Sequence, residues 1–291
     1  MLRGKGNKMH PIWRMMLLVA TMLLCLFVLL SVYAMQGMQQ DTASLKSLQA
    51  WQTVMLFIVP CLMCAYLWDE HPLHYLQLDK EVSWLPACSV VLLMLIALPG
   101  INLLSWCNQQ LTLPSFLSGL EQWMQAQEEN AAVLTEHLVK ADTVWVLLIN
   151  VFVMAVLPAL GEEICFRGVI QRLFQPMDRE KMSKTAVHLS VWVAAILFSA
   201  MHFQFYGFVP RMLLGALFGY LLVWYGSLWL PILAHFVNNA VVVLAYNYYY
   251  MRGISTDEID AFGTGDTLWV GVLSLVVTAV GVWGLSRVKR D

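Results

Sequence analysis

Glu162 and Glu163 stand side by side in AVLPALGEEICFRGVIQRL, an otherwise apolar stretch from Ala155 to Leu173, and Arg167 follows four residues after the second glutamate. An ionised side chain near the centre of a bilayer costs about 2.5 to 3.5 kcal/mol on insertion scales, so such charges persist where they are paired or used. Glu163 and Arg167 have the i, i+4 spacing, acid first, that forms an ion pair on one helical face. Glu162 points about 100° away around the helix, so its partner must come from another segment. Two later stretches supply candidates: LFSAMHF sets Phe198 and His202 one turn apart, and LAHFVNNA sets His235 and Asn239 one turn apart. A carboxylate with two imidazoles can activate a water molecule or coordinate Zn²⁺, and an asparagine amide can donate to an oxyanion. Any one of these residues alone equally suits a hydrogen bond between helices. The chemistry requires all of them together.

Positioning them is the task of a membrane-embedded helical chain. Of 291 residues 59% are hydrophobic and 12% charged, far from the quarter-charged average of soluble domains. A span needs about 20 apolar residues. Eight stretches qualify, roughly 13–34, 51–68, 84–106, 145–167, 188–206, 212–224, 229–250 and 268–285, and many begin or end at the Trp residues that favour the interface. The expected fold class is therefore an all-α polytopic membrane protein with about eight transmembrane helices. Residues 1–291 are expected to form a single transmembrane domain without internal repeats or linkers. The first span, preceded by Arg3, Lys5, Lys8 and Arg14, is too long for a signal peptide and no small-residue cleavage site follows it.

Charge asymmetry orients the spans. With a cytoplasmic amino terminus, Arg172, Arg179, Lys181, Lys184, Arg287, Lys289 and Arg290 all fall inside. Glu121, Glu128, Glu129, Glu136, Asp257, Glu258, Asp260 and Asp266 then fall outside. An integral protein of the plasma (inner) membrane with both termini cytoplasmic is the expectation. The polar connection 107–141 is expected to hold a short amphipathic helix at the outer surface. A net charge of −2 gives no sign of nucleic-acid binding.

Other motifs carry less. Cys61 and Cys64 form a C-x-x-C inside an apolar helix, without a second pair or a redox-fold context, and read as packing residues. Gly215 and Gly219 form a G-x-x-x-G that permits close helix approach. Cys165, inside the acidic motif, is a poor thiolate nucleophile in apolar surroundings.

Three ordered motifs resemble a family of intramembrane proteases, the CPBP or Abi family, which groups CAAX prenyl endopeptidases with bacteriocin-processing and self-immunity proteins. E-E-x-x-x-R reads EEICFR from Glu162 to Arg167, F-x-x-x-H reads FSAMH from Phe198 to His202, and H-x-x-x-N reads HFVNN from His235 to Asn239. The run GSLWLPILAHFVNN looks like the family's approach to its third motif, and the resemblance covers a catalytic core of about residues 158–247. It implies that Glu162 and His202 activate the hydrolytic water, that His235 and Asn239 stabilise the oxyanion, and that Glu163, Arg167 and Phe198 support the site.

The residues leave a metal open. Glu162, His202 and His235 make a His₂Glu set for a divalent ion such as Zn²⁺, but they lack the H-E-x-x-H spacing that preorganises two ligands on one turn. A metal-free, glutamate-dependent mechanism is slightly preferred. The expected function is a membrane-embedded endopeptidase acting on a membrane-associated protein or peptide, prenylated or not, within the lipid bilayer. Two other classes fit: a proton-coupled transporter, and a non-proteolytic membrane scaffold of the same fold. Because His202 comes late in a span running outward, the simplest way for the motifs to meet is for residues 178–190 to extend outside the hydrocarbon, with tilt absorbing the rest. The cavity is expected to open to the cytoplasm.

Overall fold

In a computed structural model, which describes residues 3–36, 41–175 and 183–287, the chain is all-α, and its architecture rests on nine long helices among those residues. They are α1 (Pro11–Gln36), α2 (Thr42–Trp68), α3 (Trp84–Gln109), α4 (Ser118–Val139), α5 (Val144–Leu173), α6 (Lys184–Ala200), α7 (Phe208–Tyr225), α8 (Trp229–Arg252) and α9 (Leu268–Arg287). Among the described residues seven helices are long and apolar enough to cross a membrane. The fifth of the eight expected spans is α6, which is apolar but only 17 residues long. The amphipathic helix of the long polar connection is α4. At 22 residues it is not short, because its run of Gln, Glu, Ala and Leu favours helix throughout. Arg179, Lys181, Lys289 and Arg290, four of the charges that orient the spans, lie outside the described residues.

Local chemistry sets the helix ends. Asp41, Thr143 and Ser183 accept from the backbone N–H groups of Ser44, Val146 and Ala186 at 2.8, 3.3 and 3.1 Å, capping α2, α5 and α6. Gly226 and Gly253 close α7 and α8 with φ of 68° and 67°, left-handed values that suit glycine. Two prolines shape the helix interiors. A proline cannot donate, and its ring crowds the carbonyl four residues back. Just before Pro60 and Pro158 the helix widens into π-helical turns, Val54–Ile58 and Phe152–Val156, in which Val59 bonds to the carbonyl of Val54 and Leu157 to that of Phe152. Pro158 thereby places a widened turn just ahead of the turn that carries Glu162.

The helices run between two faces. On one, the terminal face, Gly4 and Gly6 bond to the carbonyls of Tyr66 and Leu67, Leu228 and Trp229 to those of Gln77 and Leu78, and Tyr225 to that of Leu285. On the opposite face Asn108 holds the carbonyl of Phe205, Asn102 those of Ile259 and Phe262, and Asn247 that of Ala141. The tight turn 226–228 sets the end of α7 and the start of α8 level at the terminal face. Because α7 has 18 residues and α8 has 24, the α6–α7 hairpin stops about 9 Å short of its neighbour. The shortfall leaves a well in the opposite face.

The hairpin is tied to α5 by its two glycines. Arg167 donates to the carbonyl of Gly215 at 3.0 Å, and Gln171 to that of Gly219 at 3.4 Å. Side chains one turn apart on α5 thus meet carbonyls one turn apart on α7. A Cβ at Gly219 would lie 2.7 Å from Gln171 Oε1 and 3.0 Å from Val191 Cγ1. Gly219→Val is expected to lower stability by about 1–3 kcal/mol, read as a fall in the thermal unfolding midpoint in detergent. Gly284→Ala, with nothing within 4 Å of the new methyl group, should leave that midpoint unchanged or raise it.

Candidate active site

Two polar clusters with different tasks sit where α5, α6, α7 and α8 meet. The deeper one is built on Glu163, which is fully buried. Its Oε1 accepts from Arg167 Nη1 at 2.7 Å and from His235 Nδ1 at 2.8 Å. The expected i, i+4 pair forms, and the second contact ties α5 to α8. Arg167 is also fully buried. Its guanidinium lies 4.4 Å from the Phe198 ring centre and 5.4 Å from that of Phe218, distances suited to cation–π attraction in a dry setting.

The outer cluster holds Glu162, His202 and His235. Glu162 Oε2 lies 3.8 Å from His202 Nε2 and 3.9 Å from His235 Nε2, and it hydrogen-bonds to no described residue. The outer bonds of the rings fix their tautomers. His202 Nδ1 lies 2.8 Å from the carbonyl oxygen of Phe198; a carbonyl only accepts, so Nδ1 carries the proton. His235 Nδ1 likewise donates to Glu163. In the neutral rings both Nε2 atoms therefore present lone pairs toward the Glu162 carboxylate. Three acceptors converge where a proton donor or a cation would satisfy them.

The carboxylate–imidazole separations can be set against those of a zinc site. Two donors about 2.0–2.2 Å from a tetrahedral Zn²⁺ lie about 3.3–3.6 Å apart, closer than the carboxylate–imidazole separations here. Among the described residues no group of three His, Cys, Asp or Glu side chains is arranged to hold a metal ion.

Aromatic rings set the pitch of the imidazoles. Phe198 meets His202 edge-on at 5.0 Å and His235 at 5.8 Å, while Phe218 stacks on His235 at 5.4 Å. Asn239 donates to the carbonyl of Met154 at 3.4 Å. Met154 is four residues before Pro158, so its carbonyl lacks the α-helical donor that any other residue would supply. Asn238 donates to Asn239 Oδ1 at 3.2 Å, so both ends of the Asn239 amide are held. Spacing alone gave no signal for Phe218, Asn238, Gln171 or Arg211. Each matters only through a neighbour from another helix.

A cavity of about 400 Å³ joins these groups, lined by Glu162, Phe198, His202, His235, Asn238 and Asn239 together with Ile101 and Ser105 of α3, Thr135 of α4, and Arg211. Side-chain exposure falls from 29% at His202 through 15% at Glu162 to 6% at His235, so the cavity deepens toward α8. It opens on the face that carries α4. Beneath the site, Phe166, Ile232, Leu228, Leu76 and Tyr75 pack into the apolar core and close the way to the terminal face. The short α6–α7 hairpin leaves the room on the side away from the chain ends. Cys61, Cys64 and Cys165 are buried in that same apolar core, and Cys165 does not line the cavity.

Residues 143–241 match the family described as "Type II CAAX prenyl endopeptidase Rce1-like", a stretch that contains all three motifs and agrees with the resemblance read from them. The uncharacterized protein YpbD of Bacillus subtilis (strain 168) is 27% identical over 113 residues, 38% of this chain and 52% of that protein. The chain thus spans about half the length of the curated relative it matches. No solved structure matches it.

The buried triad generates a stability test. Glu163→Gln leaves the Arg167 guanidinium buried without a counter-charge and should cost about 3–5 kcal/mol, read as a fall in the unfolding midpoint. The double variant Glu163→Gln with Arg167→Met removes both charges and should regain part of the loss.

Proposed function

We propose that this integral membrane protein, whose residues 143–241 match the Rce1-like endopeptidase family, hydrolyses a peptide bond of a membrane-associated protein or peptide in the cavity above Glu162. The observation that carries the reading is the convergence of one carboxylate and two imidazole Nε2 atoms at 3.8 and 3.9 Å. These separations exceed a direct hydrogen bond and suit one water between the groups.

A water there donates one O–H to Glu162 Oε2 and the other to His202 Nε2, leaving its lone pair for the scissile carbonyl carbon. Glu162 takes the proton as the new C–O bond forms. The carbonyl oxygen becomes an oxyanion. Asn239 has an amide N–H left over after its bond to Met154, and donates it. His235, with its Nδ1 proton held on Glu163 Oε1, keeps its Nε2 turned toward the reacting groups. Glu162 then returns its proton to the leaving nitrogen as the C–N bond breaks. Protein side chains and one water supply every proton transfer in this sequence. The apolar packing below the cavity favours a closed hydrolytic well over the permeation path that a proton-coupled transporter requires.

Purified protein should cleave a membrane-peptide substrate. Glu162→Ala and His202→Ala should each lower turnover about 10²–10⁴-fold while remaining monodisperse, and a chelator should leave the wild-type rate unchanged. Full turnover in both variants would end the reading; loss of activity on chelation, restored by Zn²⁺, would replace it with a metal mechanism.

Both termini are taken as cytoplasmic because Arg3, Lys5, Arg172, Lys184 and Arg287 gather at the terminal face. In that orientation the cavity opens outward. A carboxy-terminal green fluorescent protein fusion should fluoresce and a carboxy-terminal alkaline phosphatase fusion should be inactive. The reverse pattern would turn the cavity toward the cytoplasm.

A further inference from the structure

Arg211, in the first turn of α7, is a cation outside the Glu163–Arg167 pair. It borders the catalytic cavity and also a second cavity of about 500 Å³, lined among others by Asn102, Glu128 and Asp260. The guanidinium is held from one side by neutral acceptors: Nη1 donates to the Gln204 carbonyl at 3.1 Å and Nη2 to Gln204 Oε1 at 3.0 Å. It also lies against Gly207, where a Cβ would come within 3.0 Å of Nη2. A larger residue there would displace the group.

Arg211 differs from Arg167 in its counter-charge. Arg167 has Glu163 at 2.7 Å, whereas none of the ion pairs among the described residues includes Arg211. The charges of Glu128 and Glu162 reach it, but neither acid comes within ion-pair distance: Glu128 Oε2 accepts from the Tyr206 N–H at 3.3 Å, and Glu162 faces the two imidazoles. A guanidinium has five N–H donors in a planar fork, and Gln204 takes two. The remaining donors match a carboxylate, the anion for which bidentate arginine recognition is strongest.

We propose that Arg211 anchors a carboxylate of the bound peptide, so that the site selects substrates carrying a negative charge close to the scissile bond. The carboxylate is either the peptide's carboxy terminus or an acidic side chain; both offer the same two oxygens. Because Glu162 and Arg211 line one cavity of about 400 Å³, bond and charge are a short stretch of chain apart. The assignment rests on the hydrolytic reading for its substrate class, though not on turnover for its test.

Binding is measured in a Glu162→Gln background, where no cleavage is needed, by fluorescence anisotropy of amino-terminally labelled Ala-Val-Leu-Leu-Ala. Three forms are compared: free carboxylate, carboxamide, and a carboxamide with Asp replacing the fourth residue. The free-acid or the Asp probe should bind about tenfold or more tightly than the plain amide, as a charge-assisted hydrogen bond predicts. Whichever does so identifies the source of the carboxylate. Adding Arg211→Gln should abolish the preference without changing amide affinity, and Arg211→Lys should retain part of it. Equal binding of all three probes, a preference that survives Arg211→Gln, or no saturable binding of either acidic probe would overturn the proposal. If the preference appears while wild-type protein cleaves nothing, the hydrolytic reading fails and the anion site stands.

Discussion

One carboxylate oxygen, Glu163 Oε1, holds the centre of this protein. It accepts from Arg167 on its own helix and from His235 on α8, in surroundings where all three side chains are buried. Water cannot replace either partner there, so the bonds are strong and their geometry is unforgiving. Arg167 extends the linkage to the Gly215 carbonyl of α7 and to the ring of Phe198 in α6. Four helices are thereby registered through one charge pair. The imidazole of His235 receives its tautomer from the same oxygen.

Glu162 gains its properties from that arrangement. Neighbouring glutamates on one helix would repel if they shared a site, but the 100° step sends Glu163 into the packed interior and Glu162 into the cavity. The first is neutralised by Arg167; the second is left facing the lone pairs of two imidazoles. Structural and chemical roles are thus separated by a single residue step. The aromatic rings of Phe198 and Phe218 then keep both imidazoles from rotating away.

The well above the site is a matter of helix length. A hairpin of 17- and 18-residue helices stands among neighbours of 24 to 30 residues, so polar residues of the loop 201–207 and of α4 line a depression inside the bundle rather than a surface. Arg211, Gln204 and Glu128 gather there at a depth where lipid-facing charge would be costly. The irregular backbone 201–207 lines the cavity through His202, Gln204 and Gly207, a setting in which non-helical chain is tolerated in a membrane protein.

Much was legible in the chain itself. Apolar runs of about 20 residues must become helices, since in lipid only internally bonded backbone is stable, and this determined the all-α fold and nearly every span. The i, i+4 pair of Glu163 and Arg167, the separate direction of Glu162, and the one-turn spacings of Phe198 with His202 and His235 with Asn239 were all readable from helical periodicity. Tertiary structure alone decided the features that depend on distances between helices: the second bond of Glu163, the stacking of Phe218, the link from Asn239 to the carbonyl released by Pro158, and the position of Arg211. It also decided on which face the cavity opens. Periodicity specifies direction within a helix but carries no information on how far one helix end stops below another, and that offset is set by packing between segments far apart in sequence.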